Sequence, residues 1–326
     1  YDAIERQRAA FGPSLTIVGH HYQADEVIRH TDLRGDSLEL ARKTAQVDSE
    51  FIVFCGVYFM AESAALLARA GQKVYLPEPS AECSMAMMSP APLLDTVLGL
   101  LSGQGRTIVP LAYVNSTLAV KAVVGKYGGA VCTSANALTM LQWARERGDA
   151  VLFLPDKNLG NNTADMVGIP LAKRHIISLR GKGGNLDLDA AAKATLLLWP
   201  GSCSIHTRFN LRQIERMRSE HPGARIVVHP ECSPEVVKAS DAAGSTSFII
   251  KYAAEAPAGS TLVIGTEINL VERLAEQHKG RITVLPLLES ACTQMAQTTE
   301  GRLGACLDAL AQGRDDFLVR IGDELR

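Results

Sequence analysis

No apolar run in this 326-residue sequence approaches the about 20 residues that a membrane-spanning helix requires. The longest, SFIIKYAAEA and ATLLLWP, fall well short, and residues 1–14 lack the apolar core of a signal peptide. Neither membrane insertion nor secretion is expected, and the cytoplasm is the expected compartment. An excess of one charge is also missing, since 33 Lys and Arg face 35 Asp and Glu. A net charge of −2 offers nucleic acid or an anionic membrane little to bind, so small polar ligands are the expected partners. Clustered cysteines are absent as well. Neither a CxxxCxxC nor a CxxCxxCxxxCP run occurs, which argues against a radical-SAM cluster and a ferredoxin-type electron carrier. Seven cysteines are an odd count for a disulfide framework.

What the sequence does have is 47% hydrophobic content, enough for a sizeable core, and three cysteines in similar settings. KVYLPEPSAEC ends at Cys83, ATLLLWPGSC at Cys203 and RITVLPLLESAC at Cys292. A short apolar run closed by proline is what a buried parallel strand looks like at its carboxyl end, where open α/β sheets place their ligands.

The three segments close an approximate internal repeat. Its first strands, LTIVGHHYQ, RTIVPLAYVNST and ARIVVHPEC, end in His20 and Tyr22, Tyr113 and Asn115, and His229 and Glu231. Its turns LRGDSLELARK, AVCTSANALTML and AAGSTSFIIKYA place Ser37, Ser134 and the pair Ser245 and Thr246 where helices start. FIVFCGVYFMAESAALL, AVLFLPDKNLGNNTA and STLVIGTEINLVERL each run from strand into helix. The fold expected is α/β: three αβα sandwich domains, pseudo-threefold related around a central cavity, at residues 1–88, 89–206 and 207–292, with a helical tail 293–326 packing on the body. The middle repeat is longer, and RGKGGNLDLDAAAK, with Asn185 and Asp187 before an Ala-rich run, reads as a surface loop leading into a helix.

Three thiolates are one short of the usual complement of a cubane iron–sulfur cluster, which leaves one iron open to act as a Lewis acid. A zinc site completed by His206 of CSIH is the inorganic alternative. Cys55, Cys132, Cys232 and Cys306 read as buried small hydrophobes. Helix-start hydroxyls suit phosphate or carboxylate anions but equally serve as ordinary caps. Lys157 could reinforce a phosphate site or sit in solvent. A zinc-dependent lyase or hydrolase and a metabolite-binding sensor stand beside the iron–sulfur enzyme as readings.

The motifs GHHYQ (19–23), GDSLELAR (35–42), FMAE (59–62), YVNST (113–117), CTSANA (132–137), PDKNLG (155–160), GSCSIHTRF (201–209), VHPEC (228–232), GSTS (244–247) and GTEINLVERL (265–274) run the length of the chain. Together they resemble the quinolinate synthases of bacterial NAD biosynthesis. The resemblance implies three pseudo-symmetric domains around a [4Fe–4S] cluster with three Cys ligands and one open iron. It also implies condensation of iminoaspartate (iminosuccinate) with dihydroxyacetone phosphate to quinolinate, phosphate and water, with an L-aspartate oxidase as the candidate supplier of the imine. Carried over by position, it assigns the metal to Cys83, Cys203 and Cys292. Substrate contacts fall to His20, Ser37, Tyr113, Val114, Asn115, Ser134, His229, Pro230, Glu231, Ser245 and Thr246. Catalysis falls to Glu231 as the candidate general base, with Tyr22, His20 and His229. The chain departs from some members at CTQM, where they carry two further cysteines, and at His21, where others have Asn or Tyr.

Overall fold

The computed structural model describes residues 2–103, 105–179 and 186–325. Among them, strands β1 (Leu15–His20), β2 (Leu33–Gly35), β3 (Phe51–Cys55) and β4 (Lys73–Tyr75) form one sheet. Strands β5 (Ile108–Tyr113), β6 (Ala130–Cys132), β7 (Ala150–Leu154), β8 (Arg174–Ile176) and β9 (Leu196–Leu198) form a second. A third holds β10 (Arg225–Val228), β11 (Ala242–Ala243), β12 (Thr261–Gly265) and β13 (Thr283–Pro286). Their orders are β2-β1-β3-β4, β6-β5-β7-β9-β8 and β11-β10-β12-β13, with every pairing parallel. Parallel strands need crossovers and are covered on both faces, which is why FIVFC, AVLFL and TLVIG are nearly continuous apolar runs. The α/β class and the three helix-flanked sheets agree with the expectation from sequence.

The middle repeat differs in one respect. Part of its extra length is strand β8, which pairs with β9 and adds a fifth strand at the sheet edge. The Gly cluster and Asn185 lie outside the described residues, but Asp187 accepts from the Ala190 N–H at 2.9 Å and caps the helix Leu188–Lys193. Among the described residues, no helix is long and apolar enough to cross a membrane.

The chain divides into two compact units, one of residues 1–83, 267–276 and 291–326, the other of residues 84–266 and 277–290. In the first, Ile17, Val53 and Tyr75 share a core with Ile4 and with Leu303, Cys306, Leu307 and Leu310, so the helices Asp2–Phe11 and Glu300–Ala311 both serve the first sheet. The Val319 N–H bonds to Val74 O and the Leu76 N–H to Phe317 O, each at 2.9 Å. These bonds satisfy the edge of β4, which would otherwise invite pairing with another chain.

In the second unit, the helix Ala91–Ser102 contributes Leu94, Val97, Leu98 and Leu101 to the core of the second sheet. The helix Leu211–Glu220 contributes Ile214 and Met217 to that of the third. Each helix that follows a repeat cysteine therefore packs on the next sheet along the chain, and Glu300–Ala311, after the last one, packs on the first.

Fully buried His30 fastens the first unit, with Nδ1 at 2.7 Å from Glu5 Oε1 and Nε2 at 2.8 Å from Glu300 Oε1. The hydrogen bond to His30 is the main influence that holds each of these carboxyls below its ordinary range. A His30→Ala variant is expected to lower the melting temperature by a few degrees, because two carboxylates lose their shared partner. An unchanged melting curve would show that the clasp carries no stability.

Candidate functional site

Each repeat cysteine opens the same local structure. A 3-10 turn begins three residues on, at Ala86–Met88, His206–Arg208 and Met295–Gln297. A helix begins eight residues on, at Ala91, Leu211 and Glu300. Cys83, Cys203 and Cys292 are half-buried, whereas the other four are buried. Burial raises the thiols of Cys55 and Cys132 far above their ordinary value and pushes Cys306 up to about 12. Burial, followed by the charges of Glu231 and Asp156, raises Cys232 as well. A thiol that resists ionisation is a poor metal ligand, which sets these four apart from the half-buried Cys83, Cys203 and Cys292.

In the second unit the polar ends of two repeats meet. Glu231 follows β10, and the turn around it closes with the Cys232 N–H bonded to His229 O at 3.0 Å. Two side-chain amides on the helix Lys157–Met166 hold this turn. Asn158 Nδ2 donates to Glu231 O at 3.2 Å, and Asn162 Nδ2 donates to Pro230 O and Cys232 O, both at 2.8 Å. The Glu231 carboxylate is thereby aimed at His206, whose Nδ1 lies 2.6 Å from Glu231 Oε2 and whose Nε2 lies 3.2 Å from Thr266 Oγ1. The His206 and His229 rings stack at 4.4 Å. All three residues are at most 3% exposed.

Burial works to raise the Glu231 carboxyl, but His206 and His229, with hydrogen bonds from His206 and Tyr113, outweigh it and hold it down at about 2. Burial and then His206 lower His229 to about 3, against the Glu231 charge, so that this ring is neutral. Asp156 goes the other way. Burial and then the Glu231 charge push it up to about 8, against three backbone N–H bonds. The two buried acids are thus shifted in opposite directions, Glu231 down by its histidine neighbours and Asp156 up by burial. Ligand atoms of Cys203, His206 and Glu231 lie within 4.8 Å of one another. Both His206 nitrogens are already hydrogen-bonded, however, which favours a proton-handling network over the zinc set that CSIH suggests.

Of the other residues expected in this unit, Tyr113 ends β5. The Val114 N–H bonds to Cys132 O at 2.8 Å, fixing the start of the loop that carries Asn115. Asn115 Oδ1 is buried with no hydrogen-bond partner, an acceptor left open for a ligand. Lys157 is the first residue of its helix and is half-buried.

In the first unit, His20 ends β1, accepts from the Tyr22 N–H at 3.1 Å and meets the Tyr22 ring edge-on at 4.8 Å. The turn that carries them is clamped from the helix Ile268–Gln277. Arg273 Nη1 donates to His21 O at 2.8 Å and Nη2 to Gln23 O at 2.6 Å, while Asn269 Nδ2 donates to Tyr22 O at 3.1 Å. His21, lowered to about 4 mainly by burial, is part of this packing.

The hydroxyl turns are less uniform than the repeat suggests. Ser37 is the first residue of its helix, and the cap is Asp36, in a capping box with Glu39. Ser245 itself caps the helix Thr246–Glu255 by accepting from the Phe248 N–H at 3.3 Å. Ser134 precedes a helix that starts only at Ala137, with Asn136 at the cap position. Capping therefore occupies Ser245 but neither Ser37 nor Thr246.

Sequence reasoning missed Asp156, Asn158, Asn162, Thr266, Glu267 and Arg273. The signals were present in part. Asp before a helix is a cap, and Asn158 and Asn162 at i and i+4 share one helix face.

A family model described as quinolinate synthetase A protein matches residues 2–325. The chain is 41% identical to the quinolinate synthase of Acidobacterium capsulatum over 100% of its own length and 89% of that protein. It is 43% identical to that of Streptomyces coelicolor, covering 96% and 82% of the two chains, and 49% identical to that of Bacillus pumilus, covering 84% and 74%.

Proposed function

Because the chain belongs to the quinolinate synthetase A protein family, iron–sulfur enzymes that make quinolinate for NAD biosynthesis, we propose that Cys83, Cys203 and Cys292 hold a [4Fe–4S] cluster with one open iron. The repeats 1–88, 89–206 and 207–292 would each contribute one ligand. One observation carries this reading: the three half-buried cysteines open identical turn-and-helix structures, while the remaining four are buried. When bound, the cluster supplies a Lewis-acidic iron with an exchangeable position.

The substrates we infer are iminoaspartate and dihydroxyacetone phosphate, with an L-aspartate oxidase as the source of the imine. A carboxyl held as low as Glu231 keeps a proton poorly, so Glu231 acts as base through His206. It accepts from His206 Nδ1–H, and its negative charge orients the ring and favours the imidazolium formed when His206 Nε2 accepts a proton. Neutral His229 stacks on that ring and excludes water from one face. Tyr113 donates to the same carboxylate. His20 and Tyr22, held edge to face, serve as the second acid–base pair, and Asn115 Oδ1 accepts from a substrate N–H or O–H. Pro230 and Val114 shape the loops that carry these groups.

Ser37, Ser134 and Thr246 bind the anionic groups of the substrates, with Ser245 acting through its cap. A Ser37→Ala or Thr246→Ala variant is expected to raise KM by the equivalent of about 1.5–3 kcal/mol, the worth of a hydrogen bond to a charged group. Ser245→Ala should instead cost about 1 kcal/mol of stability. If KM stays the same in both of the first two, anion binding must lie elsewhere. The direct test of the whole reading is anaerobic purification with iron and sulfide analysis, followed by quinolinate formation from the two substrates. Zinc in place of iron and sulfide, or no turnover by loaded protein, would overturn it.

A further inference from the structure

The residue two positions beyond the strand that precedes each crossover helix is Val57 after β3, Asp156 after β7 and Glu267 after β12. In the second unit, Asp156 Oδ1 accepts from the N–H groups of Asn158 and Leu159, both at 2.8 Å, and so starts the helix Lys157–Met166. Its other oxygen accepts from the Cys203 N–H at 3.0 Å. In the first unit, Glu267 Oε2 accepts from the Asn269 N–H at 2.9 Å, while Oε1 accepts from the Cys292 N–H at 3.3 Å and from Asn269 Nδ2 at 3.0 Å. Both carboxyls are fully buried. Val57 has the same place but makes no side-chain cap. The loop before Cys83 is tied by the backbone bond from the Tyr58 N–H to Ala81 O at 2.9 Å. The Cys203 loop has the equivalent bond, from the Lys157 N–H to Gly201 O at 3.0 Å, and the carboxylate in addition.

A cap needs only one oxygen, and a buried carboxyl is costly to keep for capping alone. In both cases the second oxygen goes to the N–H of a repeat cysteine. We propose that Asp156 and Glu267 are positioning residues for the metal thiolates of Cys203 and Cys292, each fixing its cysteine through the backbone N–H. The Cys83 corner has Val57 in place of a carboxyl, and its loop is tied instead by the Tyr58 N–H to Ala81 O and by Glu78, whose Oε1 accepts from the Ser80 N–H at 3.1 Å. The inference rests on the reading that these cysteines hold the cluster, and it extends that reading to the groups that orient the ligands.

The test uses Asp156→Asn and Glu267→Gln, which retain a capping oxygen but can present an N–H to the cysteine N–H. In metal-free protein, iodoacetamide labelling mapped by mass spectrometry should show Cys203 reacting about tenfold faster in the first variant and Cys292 in the second, with Cys83 unchanged in both. Thr117→Ala removes a cap that faces no cysteine, Thr117 accepting from the Val120 N–H, and should change neither. Equal labelling in variant and parent would overturn the proposal. So would parallel acceleration at buried Cys55 and Cys132, which would mean that the carboxylates hold the fold as a whole. In cluster-loaded protein, both variants should lose the visible absorbance faster under a chelator. Unchanged loss alongside site-specific labelling would overturn the metal assignment but not the positioning of the cysteines.

Discussion

Replacing Cys83, Cys203 or Cys292 by alanine is expected to give folded protein without the brown iron–sulfur absorbance and without turnover. Cys55, Cys132 or Cys306 variants should keep both. The contrast follows from exposure and ionisation. The first three are half-buried, each three residues before a 3-10 turn, whereas the second three are buried with thiols raised by desolvation. Deleting the sulfur of Cys55 or Cys306 leaves a small cavity in the first core and costs stability on the order of 1 kcal/mol, with no effect on metal. Iron and sulfide content with a thermal melt on each variant decides the matter. A colourless but normally folded Cys55→Ala protein would sink the assignment.

Glu231→Gln is expected to reduce kcat by about 10²–10⁴-fold, the usual effect of removing a general base, while the cluster and its response to quinolinate persist. The glutamine fits the same space and can still bond to His206, but it carries no charge to favour the imidazolium. His206→Ala should cost a similar factor. The double variant should cost little more than either single one, because groups that act as a unit are not additive. Stopped-flow rates together with the cluster absorption spectrum, with and without saturating quinolinate, separate the two effects. Should quinolinate leave the spectrum of the parent protein untouched, the open iron is not where the ligand binds. Additive losses would separate His206 from Glu231.

Much of this was legible in the sequence for a physical reason. Parallel strands buried on both faces leave apolar runs, and a proline closes one such run ahead of each of Cys83, Cys203 and Cys292, so three sheets and three cysteines stood out. His20, Tyr113, His229 and Glu231 were legible because strand ends are where polar groups break an apolar run. What could not be read was which polar groups face one another. The bond between His206 and Glu231 joins residues 25 apart, and Asn158 and Asn162 reach backbone about 70 residues away. Neither spacing leaves a periodic signal. Ser37 and Thr246 were placed correctly at helix starts, but the cap itself fell to the preceding residue, Asp36 or Ser245, a one-residue distinction that composition cannot resolve. Strand β8 was hidden because an edge strand of three residues is too short to show alternation.

The helix that completes the first sheet comes from residues 300–311, and this bears on how a nascent chain acquires its structure. Residues 15–75 leave the ribosome before the strands of the other two sheets, yet their apolar face gains its last cover only after about 230 further residues have been added. At a synthesis rate of about 5–20 residues per second that wait is on the order of ten seconds or longer. The second and third sheets, whose covering helices precede them, need no such delay. Of the three sheets, the one made earliest is therefore the last to be sealed, and chaperone occupancy during translation should concentrate on its strands.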